Sequence, residues 1–190
     1  EPTMDGYLEW LINEICIIDS PVDLVGHDWG GGHVVRLACE RPDLIRSWTS
    51  DIMGVFTPEY VWHERAQVWQ TPRAGEDSVS AMINATPEET RERFHTLGMS
   101  KPIAKRVAQA INDDLGRCIL ELYRSAAQPI VGDIFGSLEK ATAKPGLAIV
   151  ATEDPFVGGE LLARKAAARA GAEVGILKNQ GHWWMCSAPE

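Results

Sequence analysis

Val22-Asp23-Leu24-Val25-Gly26-His27-Asp28-Trp29-Gly30-Gly31 passes from an apolar run into a glycine-bracketed turn, and an apolar-periodic segment begins at Val34. That order of residues reads as a short buried strand, a sharp turn and a helix. Gly26 and Gly30 bracket Asp28 with the spacing of a G-x-S-x-G nucleophile elbow, aspartate standing where serine is usual. An elbow holds its central residue in a strained backbone conformation, so its neighbours must be small. The plainer alternative is that Asp28 only caps the helix that follows.

Working outward, Thr3 can cap a helix over 3–16, in which Met4, Leu8, Leu11, Ile12 and Ile15 share one face. Ser20-Pro21 ends it, and a strand over Asp23–Val25 leads into the elbow. After the elbow, Val34, Val35, Leu37 and Ala38 continue a helix that Arg41-Pro42-Asp43 stops, and Leu44 to Thr49 reads as the next strand. Two strands joined by a helix imply a parallel sheet. From about residue 54 to 141 the pattern is helical, rich in tryptophan and charge. Thr86-Pro87-Glu88-Glu89 is a capping box for a helix ending near Leu97 and Gly98. Ser100 then caps one longer helix carrying Ile103, Val107, Ile111, Leu115, Ile119, Leu122 and Tyr123, with Gly116 marking a bend. Leu147 to Ala151 reads as a strand ending in Glu153-Asp154-Pro155. An alanine-rich helix to Ala170, stopped by Gly171, and a last strand over Val174–Leu177 follow. The chain closes with Gly181-His182-Trp183-Trp184.

The 190 residues suit one domain, or a domain with an inserted subdomain. With a net charge of −9 and no basic run, nucleic acid and anionic membranes are not expected partners. No apolar stretch is long enough for a membrane span and none resembles a signal peptide. Cys16, Cys39, Cys118 and Cys186 are scattered without metal or disulfide spacing, which reads as buried thiols in a reducing, cytoplasmic setting. No metal or organic cofactor is expected.

Asp28 at an elbow, Asp154 at a strand end and His182 in a loop after the last strand fall in the chain order nucleophile, acid, histidine. On Gly26-His27-Asp28-Trp29-Gly30-Gly31, Ala151-Thr152-Glu153-Asp154-Pro155-Phe156-Val157 and Gly181-His182-Trp183, the chain resembles the aspartate-nucleophile branch of the α/β-hydrolase superfamily, the epoxide hydrolases and haloalkane dehalogenases. The resemblance implies an α/β fold in which residues 1–53 and 142–190 form a parallel sheet flanked by helices and 54–141 an inserted helical cap. It implies catalytic roles for Asp28, Asp154 and His182. Asp51, at the end of the preceding strand, is a rival acid, because some dehalogenases take theirs from that position. Taken alone, Asp154 in its Glu-Asp-Pro setting would serve a turn. His27 is expected to pack beside the elbow, and His33, His63 and His95 to be surface or cap residues.

A carboxylate is ionised at neutral pH and can displace a leaving group at saturated carbon, giving an alkyl-aspartyl ester that water, activated by His182, would hydrolyse. The Trp29 backbone N–H would donate to the oxyanion. An epoxide oxygen needs an acid as it opens. Leu122-Tyr123-Arg124 resembles the cap segment that carries one such tyrosine in epoxide hydrolases, while Gln67-Val68-Trp69-Gln70-Thr71-Pro72 resembles the first cap segment but lacks one, leaving Tyr60 upstream. A dehalogenase instead cradles halide with indole N–H groups, for which Trp29 and either Trp62 or Trp69 are suited. The substrate is expected to be a small apolar epoxide or alkyl halide, with epoxide hydrolysis first and dehalogenation second. A third reading is a non-catalytic homologue that binds a ligand or a partner chain. Only 27 residues precede Asp28, which suggests an N-terminally truncated fold lacking its first strands and second oxyanion donor, weak activity, and a cut sheet edge suited to a homodimer.

Overall fold

In the computed structural model, residues 1–128, 131–132 and 135–189 are described. Four strands, β1 (Val22–Gly26), β2 (Ile45–Ser50), β3 (Gly146–Ala151) and β4 (Glu173–Leu177), form one sheet in the order β1-β2-β3-β4 with every pair parallel. Parallel neighbours cannot be joined by a hairpin, so each connection must leave the sheet and return. Helix α1 (Met4–Cys16) precedes β1, and α2 (Trp29–Glu40) carries the chain from β1 to β2. The β2–β3 connection opens with a 3₁₀ turn, Met53–Phe56, and carries the helices α3 (Glu64–Gln70), α4 (Ala74–Asn84), α5 (Pro87–Thr96), α6 (Lys101–Ala110) and α7 (Asp113–Ser125). A 3₁₀ segment, Phe135–Ala143, leads into β3. Helix α8 (Gly159–Ala170) joins β3 to β4, and a single turn, α9 (Trp184–Ser187), follows the last loop.

The core explains the order of layers. Helix α2 packs on β1 and β2 and on the 135–143 segment, which in turn meets α8; α8 covers β3 and β4. Val35, Leu37 and Ala38 on α2, Ile45 and Trp48 on β2, and Ala166, Ala167 and Ala170 on α8 are almost wholly buried. The alanines of α8 allow the helix to lie close on the strands. Trp48 takes the space a side chain at Gly146 would need: a Cβ there would fall 2.2 Å from the indole.

Local chemistry sets the boundaries. Thr3 caps α1 by accepting from the Gly6 N–H at 3.1 Å, and Thr86 and Glu89 form the reciprocal capping box of α5. Gly98 and Gly171 terminate helices at φ +100° and +62°. The long helix expected after Ser100 is two. Asn112 ends the run with φ −154°, ψ 179°, and its side chain accepts from the Leu115 N–H at 2.9 Å, starting α7 afresh with Asp113 and Asp114 in its first turn. Ser100 makes no side-chain cap bond. Gly116 does not bend α7; it admits α4, whose Val79 would lie 2.4 Å from a Cβ at that position.

The four cysteines are free thiols, but only Cys39 is buried; Cys16 is exposed and Cys118 and Cys186 are half-buried. Among the described residues no helix is long and apolar enough to cross a membrane, and no group of His, Cys, Asp or Glu is placed to hold a metal ion.

Candidate active site

The elbow forms where the glycines allow it. Asp28 sits between β1 and α2 at φ 51°, ψ −130°, a conformation costly for a residue with a side chain. A Cβ at Gly26 would fall 2.4 Å from the Gly30 carbonyl oxygen, and one at Gly31 would fall 2.7 Å from the Ser50 hydroxyl, so the first turn of α2 is pressed against β1 and β2. The Asp28 side chain makes no cap bond to α2. Its carboxylate is thus left free for another use, at the positive end of the helix dipole.

Asp154 and His182 meet because two loops are laced together. The Thr152 N–H donates to the Leu177 carbonyl (3.1 Å), the Glu153 N–H to the Gln180 carbonyl (2.8 Å), and the Asn179 N–H to the Thr152 hydroxyl (2.9 Å). Within that frame Asp154 does two things. One oxygen accepts from the Phe156 N–H at 2.8 Å, an Asx turn, and the other pairs with His182 Nδ1 at 2.8 Å. The turn role and the histidine-partner role therefore coexist. Both side chains are buried. His182 Nε2 lies 3.7 Å from an Asp28 carboxylate oxygen, an ion-pair distance longer than a hydrogen bond.

Burial alone would lower the His182 pKa, but the carboxylates of Asp154 and Asp28 outweigh it and raise the value to about 10. The ring is therefore an imidazolium while Asp28 carries its charge.

Asp51 lies elsewhere than a rival acid would need to be. One of its oxygens accepts from the Asp28 backbone N–H at 3.0 Å; the other pairs with His27 Nδ1 at 2.6 Å and accepts from the Trp184 indole at 2.8 Å. Burial pushes its pKa up, yet His27 and the two donors pull it below the usual carboxylate range. The Nδ1 position of His182 is taken by Asp154, so in this geometry Asp51 is not the histidine's partner. His27 packs beside the elbow as expected, 4.7 Å from the His182 ring and 5.3 Å from Trp183.

The residues expected to bind substrate form an aromatic cage over Asp28. Trp29 stacks on Trp62 (5.6 Å), and Tyr123 meets Trp29 (5.1 Å), Trp62 (5.6 Å) and Trp69 (4.8 Å). Burial, then the Asp28 charge, push the Tyr123 hydroxyl pKa up, partly offset by the Trp29 indole. The Tyr60 hydroxyl is already committed, donating to the Phe156 carbonyl at 2.6 Å. In contrast, among the described residues the buried Trp62 indole N–H has no acceptor, and the buried Trp29 indole bears only on the Tyr123 hydroxyl, beyond a normal hydrogen-bond length.

Two cavities meet at Asp28. A tight one of about 20 Å³ is bordered by Asp28, Trp29, Trp62, Tyr60 and Tyr123. A cleft of about 320 Å³ opens outward from Asp28 and His182 between Trp69, Tyr123, Phe156 and the apolar faces of α5, α6 and α7. His63 caps α3 by accepting from the Ala66 N–H at 3.2 Å and also borders both cavities, a role the sequence does not suggest. His33 is not a surface residue. It stacks on Tyr7 at 5.1 Å, and burial lowers its pKa to about 4.

Residues 3–190 match the sequence profile of the alpha/beta hydrolase family. No curated protein matches the chain. Among solved structures, an E-2-(acetamidomethylene)succinate hydrolase superposes with a TM-score of 0.70 at 16% identity, over 100% of this chain and 70% of its own. The haloalkane dehalogenase DbeA-M1 loop variant from Bradyrhizobium elkanii gives 0.68 at 19% identity, over 100% and 70%. The alpha/beta hydrolase MGS-M2 from a Medee basin deep-sea metagenome library gives 0.69 at 15%, over 98% and 68%. With an elbow at Asp28, a parallel sheet beneath it and the profile running through nearly the whole sequence, the chain belongs to the alpha/beta hydrolase family.

Proposed function

We propose that this chain is a hydrolase whose nucleophile is the Asp28 carboxylate, acting at a saturated carbon through an alkyl-aspartyl ester. The observation that carries this reading is the uncapped carboxylate at a left-handed elbow, 3.7 Å from a histidine that Asp154 orients. In the first half-reaction an Asp28 oxygen forms a bond to the substrate carbon as the leaving group departs with its electron pair. Esterification removes the Asp28 charge, and with it one of the two interactions that hold His182 protonated. The ring releases its Nε2 proton to solvent through the open cleft and, now neutral, takes a proton from the attacking water at the same nitrogen. The hydroxide adds to the aspartyl carbonyl, the Trp29 backbone N–H donates to the oxyanion, and the tetrahedral adduct collapses as the departing alkoxide takes the proton back from His182 Nε2 and leaves as the alcohol. The Asp28 carboxyl then returns its proton to His182, restoring carboxylate and imidazolium.

The leaving group is favoured to be halide. The buried Trp62 indole donor, without an acceptor, carries a cost of about 1–3 kcal/mol, and an anion in the tight cavity that Trp62 and Trp29 border would relieve it. Its volume, about 20 Å³, suits a small monatomic ion rather than an organic group. Epoxide opening is the second reading, supported by Tyr123, whose hydroxyl belongs to the same cage as Asp28. The Tyr60 hydroxyl is engaged by Phe156, which leaves that chemistry one acid rather than two.

A single turnover in heavy-oxygen water, with enzyme in excess over bromohexane or epoxyhexane, tests the nucleophile. The ester route puts the label into Asp28 and leaves the first product unlabelled. Label in the product with none in Asp28 would mean direct attack by water and would overturn the proposal.

A further inference from the structure

Most arginines of this protein are ion-paired on the surface, as Arg164 is with Glu160 and Arg169 with Glu139. Arg65 and Arg93 are different. Both line the 320 Å³ cleft that ends at Asp28 and His182, and among the described residues neither makes an ion pair or a hydrogen bond to a carboxylate. Arg93 is half-buried, and its Nε–H is buried with no acceptor. The two cations bear on each other: burial first, and then the Arg65 charge, lower the Arg93 pKa. Arg65 also acts on His63 and Tyr123, so its charge is felt at the cage. A chain of net charge −9 has acidic residues to neutralise such a pair, yet the acidic residue that lines the cleft, Asp28, is paired with His182 and not with either arginine. Arg65 is exposed and Arg93 half-buried, so the unpaired cation that loses water is Arg93, with a like charge beside it, and an anion in the cleft would offset both costs.

The geometry of the two side chains suggests what that anion is. The Arg65 guanidinium lies 5.9 Å over the Trp69 ring and that of Arg93 lies 5.3 Å over Phe94. Each guanidinium is thus held against an aromatic ring at cation–π distance and keeps N–H donors of the kind that match the two oxygens of a carboxylate. The remaining wall, from Met82, Leu97, Val107, Ile111, Leu115 and Ile119, is apolar.

We infer that the cleft binds organic carboxylates, an apolar body against α5–α7 with its carboxylate on Arg65 and Arg93, and that the substrate is therefore an apolar acid bearing the displaceable group. The class of substrate rests on the hydrolase reading above; the carboxylate subsite does not.

Binding of the unreactive pair phenylbutyrate and phenylbutanol, by calorimetry or tryptophan fluorescence, tests this without chemistry. Phenylbutyrate is expected to bind at least about tenfold more tightly than the alcohol. The double variant Arg65→Met/Arg93→Met should lose that preference and keep its affinity for the alcohol, and Arg93→Lys should retain part of it. Equal binding of the two compounds, or a preference that survives in the double variant, would overturn the subsite. If the double variant loses the alcohol as well, the intact protein decides. Raising NaCl from about 0.05 to about 0.5 M should weaken phenylbutyrate alone, and a matching response from both compounds would overturn it. A carboxylate preference in a protein that never esterifies Asp28 would sink the hydrolase reading and leave the subsite standing.

Discussion

The Asp28 backbone N–H donates to the Asp51 carboxylate at 3.0 Å, so the residue in the most strained backbone conformation of the site is pinned by a buried anion one strand away. The same carboxylate ties His27 and Trp184 to the elbow. Asp51 is thus a positioning residue, holding the turn from below while Asp154 holds the histidine from the side.

Replacing Asp51 with alanine should cost stability more than chemistry. It strands the Asp28 N–H, the Trp184 indole and His27 at once, and breaking a buried charge network of this kind costs about 3–5 kcal/mol. At roughly 2–4 °C per kcal/mol for a chain of this size, Tm should fall by about 6–20 °C in a thermal melt. A Tm unchanged within a degree or so, with ester accumulating on Asp28, would make Asp51 the acid after all.

Asp154→Asn should do the reverse. The amide cannot stabilise an imidazolium, and it permits the wrong histidine tautomer. The hydrolytic half-reaction should slow by about 10²–10⁴ while alkylation of Asp28 persists. Rapid-quench mass spectrometry should show an Asp28 ester building up in this variant and not in the parent.

The elbow and the order of Asp28, Asp154 and His182 were legible because they are encoded locally. Gly26, two residues before Asp28, leaves no room for a Cβ against Gly30, Asp154 follows the end of β3, and His182 lies in the loop after β4. The Asp51 network was not legible, since it joins positions 27, 28, 51 and 184, and no spacing brings the Trp184 indole to a carboxylate after β2. The break at Asn112 was masked for a different reason. Apolar residues at steps of three and four run on through 103–123, so the amphipathic phase concealed a good N-cap followed by two aspartates. Gly116 is ambiguous in the same way, because a glycine inside a helix marks either a bend or, as here, the close approach of a neighbouring helix. Arg65 and Arg93 are 28 positions apart on separate helices and acquire meaning only by lining one cleft.

Leaving-group chemistry should separate by residue. Trp62→Phe removes one buried donor and should lower halide release from bromohexane by about 10²–10³, with little change in epoxide opening. Tyr123→Phe should depress epoxide opening and spare halide release. Halide assay and diol quantification on the same preparations give the comparison, and a Trp62→Phe enzyme at full bromohexane rate would remove the indole cradle from the account.

Stability should depend on pH through His182. Its folded pKa is raised from 6.5 to about 10, so the folded state binds a proton that the unfolded chain has released. The stabilisation is full below 6.5 and is lost as pH rises through about 10. Denaturation midpoints should therefore fall across that window, and His182→Gln should flatten the slope there. Equal slopes in the two proteins would mean that Asp28 and Asp154 do not hold the ring protonated.

The central claim, that Asp28 is the nucleophile and His182 the base, is tested most directly by intact and peptide mass spectrometry of the His182→Gln variant after incubation with bromohexane and with epoxyhexane. Without the base, the first half-reaction proceeds and the second stalls. The account predicts a stable alkyl adduct on the peptide containing Asp28, lost when Asp28 is itself replaced by asparagine. A variant that remains unmodified with both substrates, while the parent protein turns one of them over, would contradict it.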